Sequence, residues 1–169
     1  MRFLLFILAA MTLTAAPVLG AAEGGSIFGV WLTEGGTSKL EIAPCGDNKA
    51  CARVIWIKNP TYVNGKDGPV GTEKIDRQNP DSSLRSRPIL GLQVMEGLTL
   101  EGEWWKNGSC YDPQTGRTYQ CKMQMESPTE LKLRGFIGFS LLGRSYTLTR
   151  DQSESSRTVL NRAQRNGFP

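Results

Sequence analysis

Residues 98–105 read Leu-Thr-Leu-Glu-Gly-Glu-Trp-Trp, so that Leu98, Leu100, Gly102 and Trp104 alternate with Thr99, Glu101, Glu103 and Trp105. A period of two is that of a β-strand with one buried and one wet face. The pattern recurs downstream. Tyr119, Cys121, Met123 and Met125 alternate with Thr118, Gln120, Lys122 and Gln124, and Leu131 and Leu133 with Glu130, Lys132 and Arg134. Gly143 to Arg150 then places Arg144, Tyr146, Leu148 and Arg150 on one face. Upstream, Ile27–Leu32, Lys39–Ile42, Ala52–Lys58 and Ile89–Met95 read as further short strands between Gly, Pro and Asn turn signals. Eight strands without an amphipathic helix predict an all-β fold, an eight-stranded antiparallel up-and-down barrel. A two-sheet sandwich, which would show the same alternation, is the alternative.

The widest gap between strands, Asn59 to Leu84, carries Asn59-Pro60, Asn64-Gly65, Gly68-Pro69 and Asn79-Pro80. A connection of that length is a lid or other functional loop, or else a surface insertion. It leads into Asp76–Leu92, where Asp76, Asp81, Arg77, Arg85 and Arg87 gather before an apolar run. That stretch is expected to be the polar anchor of the barrel.

At the start, Arg2 precedes an apolar run from Phe3 to Leu19 and the small residues Gly20, Ala21 and Ala22, the pattern of a cleaved secretory signal over residues 1–22. Residues 23–150 form one barrel domain, and the Ser- and Arg-rich residues 151–169 are expected to be a disordered polar tail. No later segment is long and apolar enough to span a bilayer. The location expected is periplasmic or secreted. The formal charge of +4 is mild and its signs are interspersed, which excludes the basic stripe of a nucleic-acid surface.

The four cysteines, Cys45, Cys51, Cys110 and Cys121, are an even set in an exported chain and read as structural disulfides. Three pairings are possible. Cys45 with Cys51 and Cys110 with Cys121 is favoured because each pair flanks a turn-rich stretch. Zinc is disfavoured by the lack of a Cys-x-x-Cys pair and of any histidine.

Gly29-Val30-Trp31 on the first strand, with Arg150 closing the last, resembles the Gly-x-Trp and terminal Arg of lipocalins and other calycins. That resemblance implies a tryptophan plugging one barrel end under an arginine. The larger pattern is similar to an exported bacterial family called domain of unknown function 2147. It is carried by Gly29-Val30-Trp31-Leu32-Thr33, Asp76 with Asn79-Pro80-Asp81, Leu84-Arg85-Ser86-Arg87-Pro88-Ile89-Leu90-Gly91, Tyr111-Asp112-Pro113, Thr115-Gly116, Thr118-Tyr119, Cys121, Leu133-Arg134-Gly135 and Gly143-Arg144. It implies a calycin-like barrel and no established activity.

The inventory argues against catalysis: no histidine, no Gly-x-Ser-x-Gly elbow and no expected free thiol. Asp76 and Asp81 sit among arginines and are expected to be ion-paired, and they lack the ligand number and spacing of a calcium loop. Neither a metal nor a cofactor is expected. Binding is favoured. If the Leu98–Trp104 face points inward, the interior receives Trp104, Tyr119, Met123, Met125, Leu131, Leu133, Tyr146 and Leu148, with Arg144 as a cationic anchor. Arg85 and Arg87, two apart on an extended segment, would share a face and clamp an anion at the mouth, or pair with Asp76 and Asp81. Trp105 is expected outside. The function expected is the binding of a small amphipathic or hydrophobic ligand inside the barrel. The rivals are a filled barrel whose surface binds envelope protein or glycan, and a carboxylate-dependent enzyme.

Overall fold

The computed structural model describes residues 26–138, 141 and 143–153. The expected signal, residues 1–22, and most of the expected tail lie outside them. The strands are β1 (Gly29–Leu32), β2 (Ser38–Pro44), β3 (Lys49–Ile57), β4 (Gln93–Glu101), β5 (Trp104–Asp112), β6 (Arg117–Ser127), β7 (Glu130–Phe136) and β8 (Gly143–Arg150). Each pairs antiparallel with the next, and β8 returns to β1 to close the barrel. The barrel is the one the alternation predicts, and the sandwich is excluded.

One end is plugged. Trp31 is fully buried, its indole N–H donates to the Ile27 carbonyl at 2.7 Å, and the Arg150 guanidinium carbon lies 4.2 Å from its ring centroid. Arg150 also donates to the carbonyls of Phe28, Pro128 and Ser26, so it staples both sides of the seam. Gly29 has φ 144°, a backbone that side-chain-bearing residues rarely adopt, which is why a glycine stands two residues before the plug. Above the plug, Leu40, Ile42, Ala52, Val54, Met95, Leu98, Met123, Leu131 and Leu148 form a packed core. Everything at this level of the barrel is filled by side chains, the usual state of an eight-stranded barrel interior.

The strand count holds, but boundaries differ from expectation: Ile89–Leu92 precede β4 rather than open a strand, and Gln93–Met95 run on with Leu98–Glu101 as one strand. Leu98–Trp105 is a hairpin rather than one strand: β4 ends at Glu101, the chain turns at Gly102 and Glu103, and β5 begins at Trp104. Asn107-Gly108, a residue pair typical of tight turns, lies inside β5, where Asn107 has φ 62° and the register against β6 shifts. A two-residue turn places Glu101 and Trp104 opposite each other on one face, so the parity of the alternation inverts. Trp105, not Trp104, therefore packs on the core, edge-on to Phe28 at 5.5 Å, while Trp104 lies outside under the Lys122 ammonium at 4.6 Å.

Cys45 and Cys51 form the expected disulfide. Cys110 and Cys121 do not: both are free thiols. They are diagonal rather than opposite, with Cys110 paired to Tyr119 and Cys121 to Gly108.

Candidate functional site

The end opposite the plug is where β8 begins and β7 ends, and there the inner wall changes character. β7 and β8 pair without a register shift, so Leu148, Tyr146 and Arg144 occupy successive inward positions on β8. Leu148 is 2 % exposed, Tyr146 is 41 % exposed, and Arg144 is exposed. Inward-facing side chains open to water define a mouth above the packed core. Tyr119, half-buried on β6, and Leu133, half-buried on β7, continue this wall, and Met123 closes it below, fully buried. At the rim, Ile137 and Leu141 of the β7–β8 turn are largely exposed. Among the described residues Arg144 has no hydrogen-bond or ion-pair partner.

One row of residues crosses the mouth a step above Met123. Cys121 pairs with Gly135, and Gly135 with Arg144, so the thiol and the guanidinium share a face across a residue without a side chain. A Cβ on Gly135 would stand 3.6 Å from the Cys110 sulfur. The two thiols are diagonal neighbours on the inner wall. Interaction with the Cys121 thiol holds the Cys110 thiol below its ordinary range against the opposing effects of burial and Asp112. Interaction with Cys110, together with burial, pushes the Cys121 thiol far up. Cys110 is thus the one that ionises first.

The arginine-rich stretch is elsewhere. Arg85 and Arg87 do not lie on an extended segment: Ser82–Leu84 is a 3-10 helix capped by Asp81, which accepts from the Ser83 backbone, and the chain turns on through Arg85 and Ser86, the Arg87 N–H donating to the Leu84 carbonyl at 3.2 Å. Both hydrogen bonds from Ser83 lower the Asp81 carboxyl below its usual range. Arg85 donates to the Asn79 carbonyl at 2.7 Å. Arg87 pairs with Asp76, which is wholly buried. Asp76 Oδ2 accepts from Arg87 Nε at 2.9 Å and from Asn79 Nδ2 at 2.7 Å, and Oδ1 accepts from the Tyr111 hydroxyl at 2.5 Å. Arg87 also lies over the Tyr111 ring at 5.7 Å. Burial, then the Asp76 hydrogen bond and charge, push the Tyr111 phenol up to about 12. This network ties the long connection to the flank of β5, outside the mouth. Its satisfied donors and acceptors make it a pin.

The structure therefore brings Tyr119, Met123, Tyr146 and Arg144 to one inner wall and leaves Trp104, Arg85 and Arg87 outside it. Asp76 and Asn79 are buried as the polar anchor. Tyr111 was visible only as part of the Tyr111-Asp112-Pro113 stretch, and nothing in its spacing signals the link to Asp76. Glu41 was not visible at all: it is 1 % exposed on β2, with Oε2 held by Arg53 at 2.7 Å and Oε1 unpartnered. On the outer wall, clefts of about 640 and 410 Å³ share Gln93, Glu96 and Ser109 and together make one polar groove. Among the described residues no three Cys, Asp or Glu side chains converge as metal ligands, and no helix is long and apolar enough to cross a membrane.

A closed eight-stranded meander with a tryptophan plug under a terminal arginine and an open far end defines a lipocalin-like barrel. The chain belongs to the family described as uncharacterized protein conserved in bacteria (DUF2147), whose model matches residues 29–150. A solved structure, protein HP1028 from the human pathogen Helicobacter pylori, described as belonging to the lipocalin family, is similar with a TM-score of 0.64 and 21 % identity. The match covers 81 % of this chain and 90 % of that one, and it shows the fold. Among curated proteins none matches.

Proposed function

We propose that this protein is exported and binds a small amphipathic molecule in the open half of its barrel, with the apolar part against the inner wall and rim and an anionic end on Arg144. The observation that carries the reading is the change along one face of β8, from Leu148 at 2 % exposure to Tyr146 at 41 % and an exposed Arg144 without a partner among the described residues. An exposed cation beside flat aromatic and aliphatic surface suits a carboxylate- or phosphate-bearing amphipath. The filled lower core limits the ligand to the upper half. The Cys45–Cys51 disulfide supports an oxidising compartment, in keeping with the signal-like residues 1–22.

The test is displacement of an anionic fluorescent fatty-acid probe from the folded protein. Arg144→Glu is expected to weaken probe binding at least tenfold, and Arg87→Ala to leave it unchanged if the fold is intact. Unchanged binding in Arg144→Glu refutes the site. A second reading, a polar ligand on the outer wall, is favoured by the groove through Gln93, Glu96 and Ser109. Ser109→Trp would block that groove and leave the mouth free.

A further inference from the structure

We propose that Cys110, Cys121 and the thioether of Met95 form a binding site for a cuprous ion on the inner wall of the mouth, with Arg144 balancing its charge. The inference goes beyond the amphipath reading and stands without it. Three sulfur side chains occupy neighbouring positions on the inner wall. Cys110 and Cys121 are diagonal neighbours across β5 and β6, the Cys110 sulfur lies against Gly135, which is directly opposite Cys121, and Met95, 2 % exposed and facing the core, is directly opposite Cys110 across β4 and β5. Directly opposed residues have Cβ atoms about 5 Å apart, so the thioether is within reach of the pair. Two thiols and a thioether are a soft, low-coordinate set that selects Cu(I) over hard divalent ions. The absence of any convergence of three Cys, Asp or Glu among the described residues removes the usual zinc or magnesium alternatives.

Charge and access agree with this assignment. Binding replaces two S–H bonds by two Cu–S bonds and releases two protons to solvent, while copper remains Cu(I) and no electron is transferred. The product carries one net negative charge in an apolar wall, which requires a counter-charge. Arg144 lies two strand spacings from Cys121 along one row, about 10 Å between Cα atoms, and the intervening residue is the bare Gly135. Its side chain therefore meets no side chain from the intervening residue on the way to the pair. Cys110 is only half-buried and stands on the mouth side, which gives the ion a route in. Oxidation of the pair to a disulfide would instead remove two electrons to a disulfide-bearing oxidant and destroy the site.

The experiment titrates Cu(I), held by a chromophoric cuprous chelator under nitrogen, with the folded protein. One Cu(I) per chain is expected to leave the chelator. Cys110→Ser and Cys121→Ser should each weaken uptake at least tenfold, and the volume-conserving Met95→Leu by a smaller factor. The Cys45→Ser/Cys51→Ser double variant, which touches no proposed ligand, should retain it. X-ray absorption of the loaded protein should show sulfur neighbours only. No uptake by the wild-type chain, uptake unchanged in both single cysteine variants, a nitrogen or oxygen shell, or a Cys110–Cys121 disulfide that mild reductant leaves closed would each overturn the proposal.

Discussion

Asp76→Ala is the perturbation that most directly tests how the long connection is held. Asp76 is wholly buried and accepts from Tyr111, Asn79 and Arg87, so its removal leaves three donors without their acceptor. A hydrogen bond to a charged group contributes about 1.5–3 kcal/mol. The Arg87 side chain is 37 % exposed and can turn to water, so its share is discounted. The Tyr111 and Asn79 bonds then dominate, and the expected loss is about 3–4 kcal/mol, within the range for breaking a buried pair from one side. Tyr111→Phe removes one donor while Asp76 keeps two others, for a loss of about 1–2 kcal/mol. Because the residues touch, the double variant should fall short of the sum by about 1 kcal/mol or more. Urea unfolding by fluorescence measures all three. At a slope of about 1.5–2 kcal/mol/M, Asp76→Ala should lower the midpoint by roughly 2 M. A loss below about 1 kcal/mol, or strict additivity with Tyr111→Phe, would show that the network does not pin the connection.

Other outcomes follow from single contacts. The Tyr111 phenol is pushed up to about 12, so the stability it contributes is intact below its ordinary value near 10 and is lost as pH rises through that interval; the wild type should therefore lose urea stability between pH 10 and 12 more steeply than Tyr111→Phe, and parallel slopes would contradict it. Gly116→Ala puts a Cβ 1.9 Å from the Gln78 carbonyl at φ 68°, and the expected cost, about 2 kcal/mol or more, should appear in a thermal melt. Arg150→Ala should cost about 1–3 kcal/mol through the lost indole contact and carbonyl bonds. Arg144→Ala, which breaks no described contact, should stay within about 0.5 kcal/mol, and equal effects at the two arginines would contradict their different placement.

Much of this was legible from residue pattern. The buried Trp31 and the terminal Arg150 sit at the ends of the first and last alternating runs, and the barrel brings those ends together. The inward set Tyr119, Met123, Leu131 and Leu148 could be read because β6, β7 and β8 keep their registers over those residues. The β4–β5 hairpin was not legible. A two-residue turn at Gly102 and Glu103 leaves the polar–apolar sequence looking unbroken, while the geometry inverts which tryptophan faces the core. Asn107-Gly108 carries the residues of a turn, yet it serves as an irregularity inside a strand. Of the two readings of Arg85 and Arg87, pairing holds at Arg87, which meets Asp76, while the extended spacing is lost because the chain turns through Arg85 and Ser86 after the 3-10 helix. Cys110 and Cys121 were read as a loop-flanking disulfide, whereas their diagonal register makes them a thiol contact. Nothing local to Asp76 could name Tyr111, since their meeting depends on how a long connection folds back.

The seam between β1 and β8 rests on two register pairs, Trp31 with Arg150 and Leu32 with Thr149, while β7 and β8 share seven. Every other strand pair joins neighbours in the chain, so seven of the eight ladders can zip up with little loop-closure entropy. The eighth must bring together the two extremes of the domain. Ring closure is therefore expected late in folding, after the rate-limiting step has assembled the meander. Weakening the Trp31–Arg150 contact should then accelerate unfolding and leave the folding rate nearly unchanged, making the plug a determinant of how long the native barrel persists.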